Sequence, residues 1–212
     1  MSVLIIYCHP TKQSYTYNIL CQLKKVLANE NLEFQISDLY EMGFQTEMTD
    51  SEYQREGHCN LDLDISPDVR IEHDKIEKAD CIIFLYPVWW SDCPAMLKGW
   101  FDRVYSVGYA YSHKDNLVRI KKMKTINYGI SLCTAGHPNN FLEEIGIAES
   151  MRKIMVDDRM GQRFLKKEMQ LLGGTLEMDK VRDKHSNIIK DLGKRIKKYI
   201  NKEEGVGDPR PA

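Results

Sequence analysis

Three short segments carry side chains whose types and spacing could do chemistry. The first runs from His9 to Asn18 (HPTKQSYTYN), where Thr11, Ser14 and Thr16 bring hydroxyls to the start of a helical pattern. A helix N-terminus has unpaired backbone N–H groups and attracts anions, so a phosphate or pyrophosphate could sit there; Ser14 or Thr16 acting only as a helix cap satisfies the same spacing. The second segment, Pro87-Val88-Trp89-Trp90-Ser91-Asp92, places two adjacent indoles after an apolar run. Successive side chains leave a strand in opposite directions, so both indoles cannot enter one core. One of them can flank a flat ring, unless both pack under a helix or a second subunit. The third segment, Thr134-Ala135-Gly136, has side chains small enough for backbone N–H groups to approach a ligand edge. Neither GxGxxG nor the P-loop pattern occurs, and no metal-ligand spacing or Ser-His-Asp arrangement stands out. A pocket so built favours a cofactor that brings its own reactivity.

The run before each segment is short, apolar and β-branched: residues 2–7 (SVLIIY), 80–86 (DCIIFLY) and 125–133 (TINYGISLC). Such runs read as strands buried on both faces, which belong to parallel sheets. Residues 32–39 (LEFQISDL) alternate in period two and predict a further strand. Between the strands, residues 14–30 place Ile19, Leu20, Leu23, Val26 and Leu27 at helical spacing, and Pro94 opens a helix over 95–105 with Met96, Leu97, Trp100, Phe101 and Val104 on one face. Residues 40–74 are polar and without sustained period, predicting a long functional loop with at most a short helix over 51–56. Residues 145–172 predict one or two helices stopped by Gly173-Gly174, and 175–178 a short fifth strand. Residues 184–202 predict an amphipathic helix with Ile188, Ile189, Leu192, Ile196, Tyr199 and Ile200 on one side, packed on the domain or lying on a membrane surface. Strands alternating with helices imply an α/β fold, with ligands outside the carboxyl ends of the strands, where the three segments lie.

A chain of 212 residues fits one domain, expected over 1–202, with 203–212 a loose tail. The formal net charge of -1 leaves no sequence-wide positive field to hold a nucleic acid. The N-terminal apolar run is too short for an export signal or a membrane span. Six cysteines without a CxxC pair read as reduced, packed thiols, so a cytoplasmic protein without membrane insertion is expected.

The stretch PVWWSDCPAMLKGWFDRV (87–104), with Asp38-Leu39-Tyr40, Lys78-Ala79-Asp80 and the opening strand ending at His9, resembles the NAD(P)H:quinone oxidoreductase family of flavodoxin-like flavoproteins, the DT-diaphorase and modulator-of-drug-activity type. The likeness runs over residues 1–180, most closely 1–112. It implies a twisted five-stranded parallel sheet with helices on both faces, bound FAD, favoured over FMN, and a homodimer with the active site at the subunit interface. It also implies hydride transfer from NAD(P)H through the flavin to quinones or similar flat acceptors, two electrons at a time in a ping-pong scheme. Carried onto this chain, the flavin-binding positions are His9, Thr11, Ser14, Tyr15, Thr16 and Asn18, then Pro87, Val88, Trp89 and Trp90, then Thr134, Ala135 and Gly136. Thr134 and Gly136 also serve catalysis, where backbone N–H groups would steady charge on the reduced flavin. The family's Tyr and His beyond that loop correspond to Phe141 and Ile147, which cannot donate a proton, leaving His137 or water for that task. Among relatives of this type are electron-transfer modules and ancillary subunits of potassium-efflux systems, the alternative reading.

Overall fold

The computed structural model describes residues 2–111, 113–114, 118–119 and 123–200. The continuous apolar runs form strands β1 (Ser2–Tyr7), β3 (Cys81–Pro87) and β6 (Ile126–Thr134), buried almost throughout. Strand β2 (Glu33–Asp38) flanks β1, and β7 (Phe164–Leu172) flanks β6, giving an all-parallel sheet in the order β2-β1-β3-β6-β7. This is the expected fold class. A separate antiparallel pair joins β4 (His113–Lys114) to β5 (Val118–Arg119).

Because side chains alternate across a strand, each buried strand feeds two cores. Val3, Ile5, Tyr7, Ile83 and Leu85 pack under α1 (Tyr15–Asn29) and α7 (Met178–Ile200). Leu4, Ile6, Cys8, Phe84 and Tyr86 pack under α3 (Pro67–Lys78) and α4 (Ala95–Val104). Helices α1 and α7 cross closely at Gly193, where a Cβ would fall 2.2 Å from a Val26 methyl. The apolar stripe of α7 (Ile189, Leu192, Ile196) is therefore core, and the membrane-surface alternative falls away.

Three elements differ from expectation. The fifth strand is β7, not 175–178, which forms a 3-10 turn over Thr175–Glu177. After the short helix α5 (Asn139–Glu144), residues 145–172 hold one short helix, α6 (Ile147–Arg152), then a π-helical segment (Lys153–Met160) and the strand. Lys166, Lys167 and Glu168 hide β7, because an edge strand tolerates charge: Lys167 reaches the Gly161 carbonyl and Glu168 pairs with Arg195. Gly173-Gly174 is a strand-to-helix turn, with Gly174 at φ +85. Helix α3 was also unforeseen. Its buried face is Val69, Glu72, His73 and Ile76, so the helical spacing is present but half its members are polar. Their polar atoms are paired: Glu72 accepts from Trp100 Nε1, Ser37 Oγ and Lys75 Nζ, and His73 Nε2 meets the Val104 carbonyl. The short helix over 51–56 forms as α2 (Asp50–Gly57), capped by Thr49 and Glu52. Of the segments named from sequence, the tail 203–212 lies outside the described residues.

Arg103, on α4, fastens the polar excursion to the core. Its guanidinium donates to Glu52 on α2, Asp68 on α3 and the Gln45 carbonyl, while Ser66 Oγ also donates to Glu52. Burial raises the Glu52 carboxyl, but the bonds from Arg103, Thr49 and Ser66 outweigh it and hold its pKa at about 2. A carboxyl so depressed adds stability above its ordinary titration range and loses it as pH falls toward that value. Removing Arg103 strands two carboxylates, one of them nearly buried. Arg103→Met is expected to cost about 3 kcal/mol in urea unfolding and to open residues 40–74 to limited proteolysis. An unchanged urea midpoint would show that the excursion is ordered by something else.

Candidate active site

The parallel pairing sets Tyr7 beside Leu85 and Pro87 beside Thr134, so the loops leaving β1, β3 and β6 emerge at one rim, where the order of winding reverses. They are tied to one another. The Thr134 carbonyl accepts the Val88 N–H (2.8 Å), Thr134 Oγ1 meets Thr16 Oγ1 (2.8 Å), and the Trp89 ring stands edge-on to His9 at 6.0 Å.

In the first loop, Ser14 is the helix cap: its Oγ accepts the Tyr17 N–H at 3.0 Å. An accepting hydroxyl keeps its own proton to donate, so capping and anion binding are compatible at Ser14. Buried Thr16 shares one proton with Thr134 and leaves the pair a second. Thr11 Oγ1 accepts the Gln13 N–H, and the Thr11 N–H and carbonyl both lie 3.1 Å from His9 Nδ1. Burial lowers the His9 pKa more than the Thr11 carbonyl raises it, which favours the neutral ring accepting from Thr11 N–H. Tyr15 turns its hydroxyl to His185 Nδ1 on α7 (2.7 Å), and Asn18 accepts from Gln22 one turn further from the rim.

In the second loop, Pro87 is buried at the strand end and Val88 half-buried. Trp89 and Asp92 exchange backbone hydrogen bonds around Trp90 and Ser91, which sit at φ +49 and +64. Two successive left-handed residues make a turn that ordinarily calls for Asn-Gly. Trp90 is fully exposed and Trp89 is 42% exposed, so both indoles stand at the rim. In the third loop the Ala135 N–H is spent on the Leu172 carbonyl (3.0 Å). The N–H groups open to a ligand are those of Gly136 and His137, which meet no acceptor among the described residues. His137 is exposed and packs against the Phe141 ring at 4.8 Å, while Ile147 is half-buried against the core.

Sequence reasoning missed two features. A cleft of about 490 Å³ lies between Asn139-Asn140, Gly173-Gly174 and Lys180, Lys184 and His185 of α7, joined to the first loop through the Tyr15–His185 bond. Its one legible signal was the Gly173-Gly174 pair: a Cβ on Gly173 would fall 2.3 Å from Asn139 Oδ1. The other is a bidentate ion pair between Arg159 and Asp92, partners 67 positions apart that no spacing rule connects.

A family model described as "Flavodoxin-like fold" matches residues 1–165. The chain is 31% identical over 163 residues to an uncharacterised NAD(P)H oxidoreductase of Haemophilus influenzae, covering 74% of this chain and 75% of that protein. It is 35% identical over 123 residues to NAD(P)H dehydrogenase (quinone) 1 of Cavia porcellus, but this spans only 52% of this chain and 45% of that one. Among solved structures, an NAD(P)H:quinone oxidoreductase from Methanothermobacter marburgensis superposes with a TM-score of 0.87 at 37% identity, over 92% of this chain and 98% of the other.

The exposed, left-handed Trp90 contributes no core packing, so Trp90→Gly should remove backbone strain worth about 1 kcal/mol. The urea midpoint is expected to hold or rise. A clear fall would show that the indole is packed against the protein.

Proposed function

The chain belongs to the family of the flavodoxin-like fold, and on that premise we propose that it is a flavin-dependent oxidoreductase passing a hydride from NAD(P)H to quinones or similar flat acceptors. The observation that carries this reading is the closure of three loops on one another through Thr134. The donor set suits a flavin nucleotide. Hydroxyls and N–H groups at the α1 N-terminus suit phosphate, exposed indoles suit flat rings, and unpaired N–H groups suit a polar ring edge.

When bound, the flavin supplies the capacity to take up a hydride from one partner and yield it to another. The protein's own groups do the rest. Ser14, Thr16 and the first-turn N–H groups hold the phosphate, with His9 and Thr11 shaping the loop and Tyr15 and Asn18 at its margins. Pro87, Val88, Trp89 and Trp90 flank the rings and keep water from that side. The N–H groups of Gly136 and His137 stabilise negative charge at the edge they face, in a position set by Thr134 and Ala135. The His137 ring is the proton-carrying side chain of that loop, since Phe141 and Ile147 have none to give.

FAD is favoured over FMN because the cleft beside His185 gives a second nucleotide room next to the phosphate loop, with Lys180 and Lys184 as cations. The exposed apolar residues around the third loop, Phe141, Ile145 and Leu176, the last within 3.3 Å of a Cβ built on Gly136, support a homodimer that closes the site. Six free cysteines suit a reducing, cytoplasmic setting, and no helix among the described residues is long and apolar enough to cross a membrane.

Mass spectrometry of the cofactor released on denaturation should return FAD, and anaerobic NADH or NADPH should bleach the oxidised flavin band rapidly. Bleaching that requires a separate protein reductase would instead mark an electron-transfer module. Phe141→Tyr, which sets a hydroxyl beside His137, should raise quinone turnover severalfold; unchanged turnover would show that the proton travels elsewhere.

A further inference from the structure

The Trp89–Asp92 turn is held in an unfavourable conformation by groups outside it. Trp90 and Ser91 both adopt left-handed backbone angles, each of which disfavours the turn by roughly tenfold for a residue other than glycine. Left to itself such a turn would relax, and the Trp90 indole would leave its place. What opposes relaxation is Asp92. Its backbone closes the turn on Trp89, and its carboxylate receives Arg159 Nη1 at 2.9 Å and Nη2 at 3.0 Å, with the Cys93 N–H on Oδ1. Two parallel bonds fix the carboxylate in direction as well as distance.

Arg159 is itself immobilised. It is 9% exposed, its guanidinium lies 5.3 Å from the Phe101 ring centroid, and Nη1 also contacts Met155 Sδ and Cys93 Sγ. Its backbone carbonyl accepts from the Arg163 side chain. It sits at the end of the π-helical segment Lys153–Met160, eight residues of a geometry that ordinarily appears as a single-turn bulge, often at functional sites. Burial would raise the Asp92 carboxyl, but the Arg159 and Cys93 bonds prevail and lower it.

We propose that Arg159 is a positioning residue of the site, gripping Asp92 so that the Trp90–Ser91 turn stays left-handed and the Trp90 indole stands out at the rim. The inference rests on the reading of that rim as the place of a flat cofactor, and its consequence is cofactor affinity and turnover set from a helical segment outside the three loops. Lysine cannot replace arginine here, because a point charge gives no two-point grip.

The test uses the full-length protein labelled with 5-fluorotryptophan, whose three tryptophans give separate fluorine resonances, that of Trp90 assigned through Trp90→Phe. Arg159→Met and Asp92→Asn should each shift or broaden the Trp90 resonance while leaving buried Trp100 in place, and each should weaken FAD binding about tenfold, with no further loss when combined. Arg159→Lys should lie between. Adding Ser91→Gly, which makes the turn intrinsically favourable, should return both the resonance and the affinity toward the parent values. An unmoved Trp90 resonance in Asp92→Asn overturns the proposal even if Arg159→Met fails to fold. A loss of affinity that Ser91→Gly does not restore also overturns it, marking Arg159 as core support. If the parent protein takes up neither FAD nor FMN, the flavin reading fails, and the fluorine resonances alone decide the role of Arg159.

Discussion

The rim depends on Thr134. As the last residue of β6 it is held in the sheet on both sides, by β3 and β7, and its free valences then gather the loops: the carbonyl takes the Val88 N–H and the hydroxyl takes Thr16. Without that residue the first and second loops would share a neighbourhood but no bond. The hydroxyl pair is buried, where a hydrogen bond is stronger and its loss dearer than at the surface. A site assembled this way is positioned by the sheet itself, and strands position groups more narrowly than loops do.

The same economy appears in the second loop, where tension replaces rigidity. An exposed indole on a left-handed backbone is a poor choice for stability and serves no core. Local strain persists only where surroundings over-determine it, here through Asp92 and the guanidinium behind it. On the proposed reading, in which Trp90 flanks a flavin, function and stability pull apart at this residue, as they do at many sites that present an apolar surface to a ligand.

Most of the sheet was legible from sequence because β1, β3 and β6 are buried on both faces and advertise it in unbroken apolar runs. The three loops followed, since each lies at the end of such a run. What escaped reading has two causes: polar residues buried against distant partners, and charges carried by an edge strand. Glu72 and His73 hid α3 until Trp100 and the Val104 carbonyl were seen to pair with them, and Lys166, Lys167 and Glu168 disguised β7. In the third loop, nothing in Thr134-Ala135-Gly136 reveals that Leu172 claims the Ala135 N–H and leaves the Gly136 N–H open. Asp92 stood in plain view in the second loop, yet its meaning comes from Arg159.

The proposed function turns on whether and where this protein binds a flavin. A crystal structure of the chain grown with FAD measures that most directly. The expected density places the phosphates at the first turn of α1 and the rings between the paired indoles and the Gly136–His137 N–H groups. Ring density away from the carboxyl rim of the sheet, or none at saturating FAD or FMN, would contradict it.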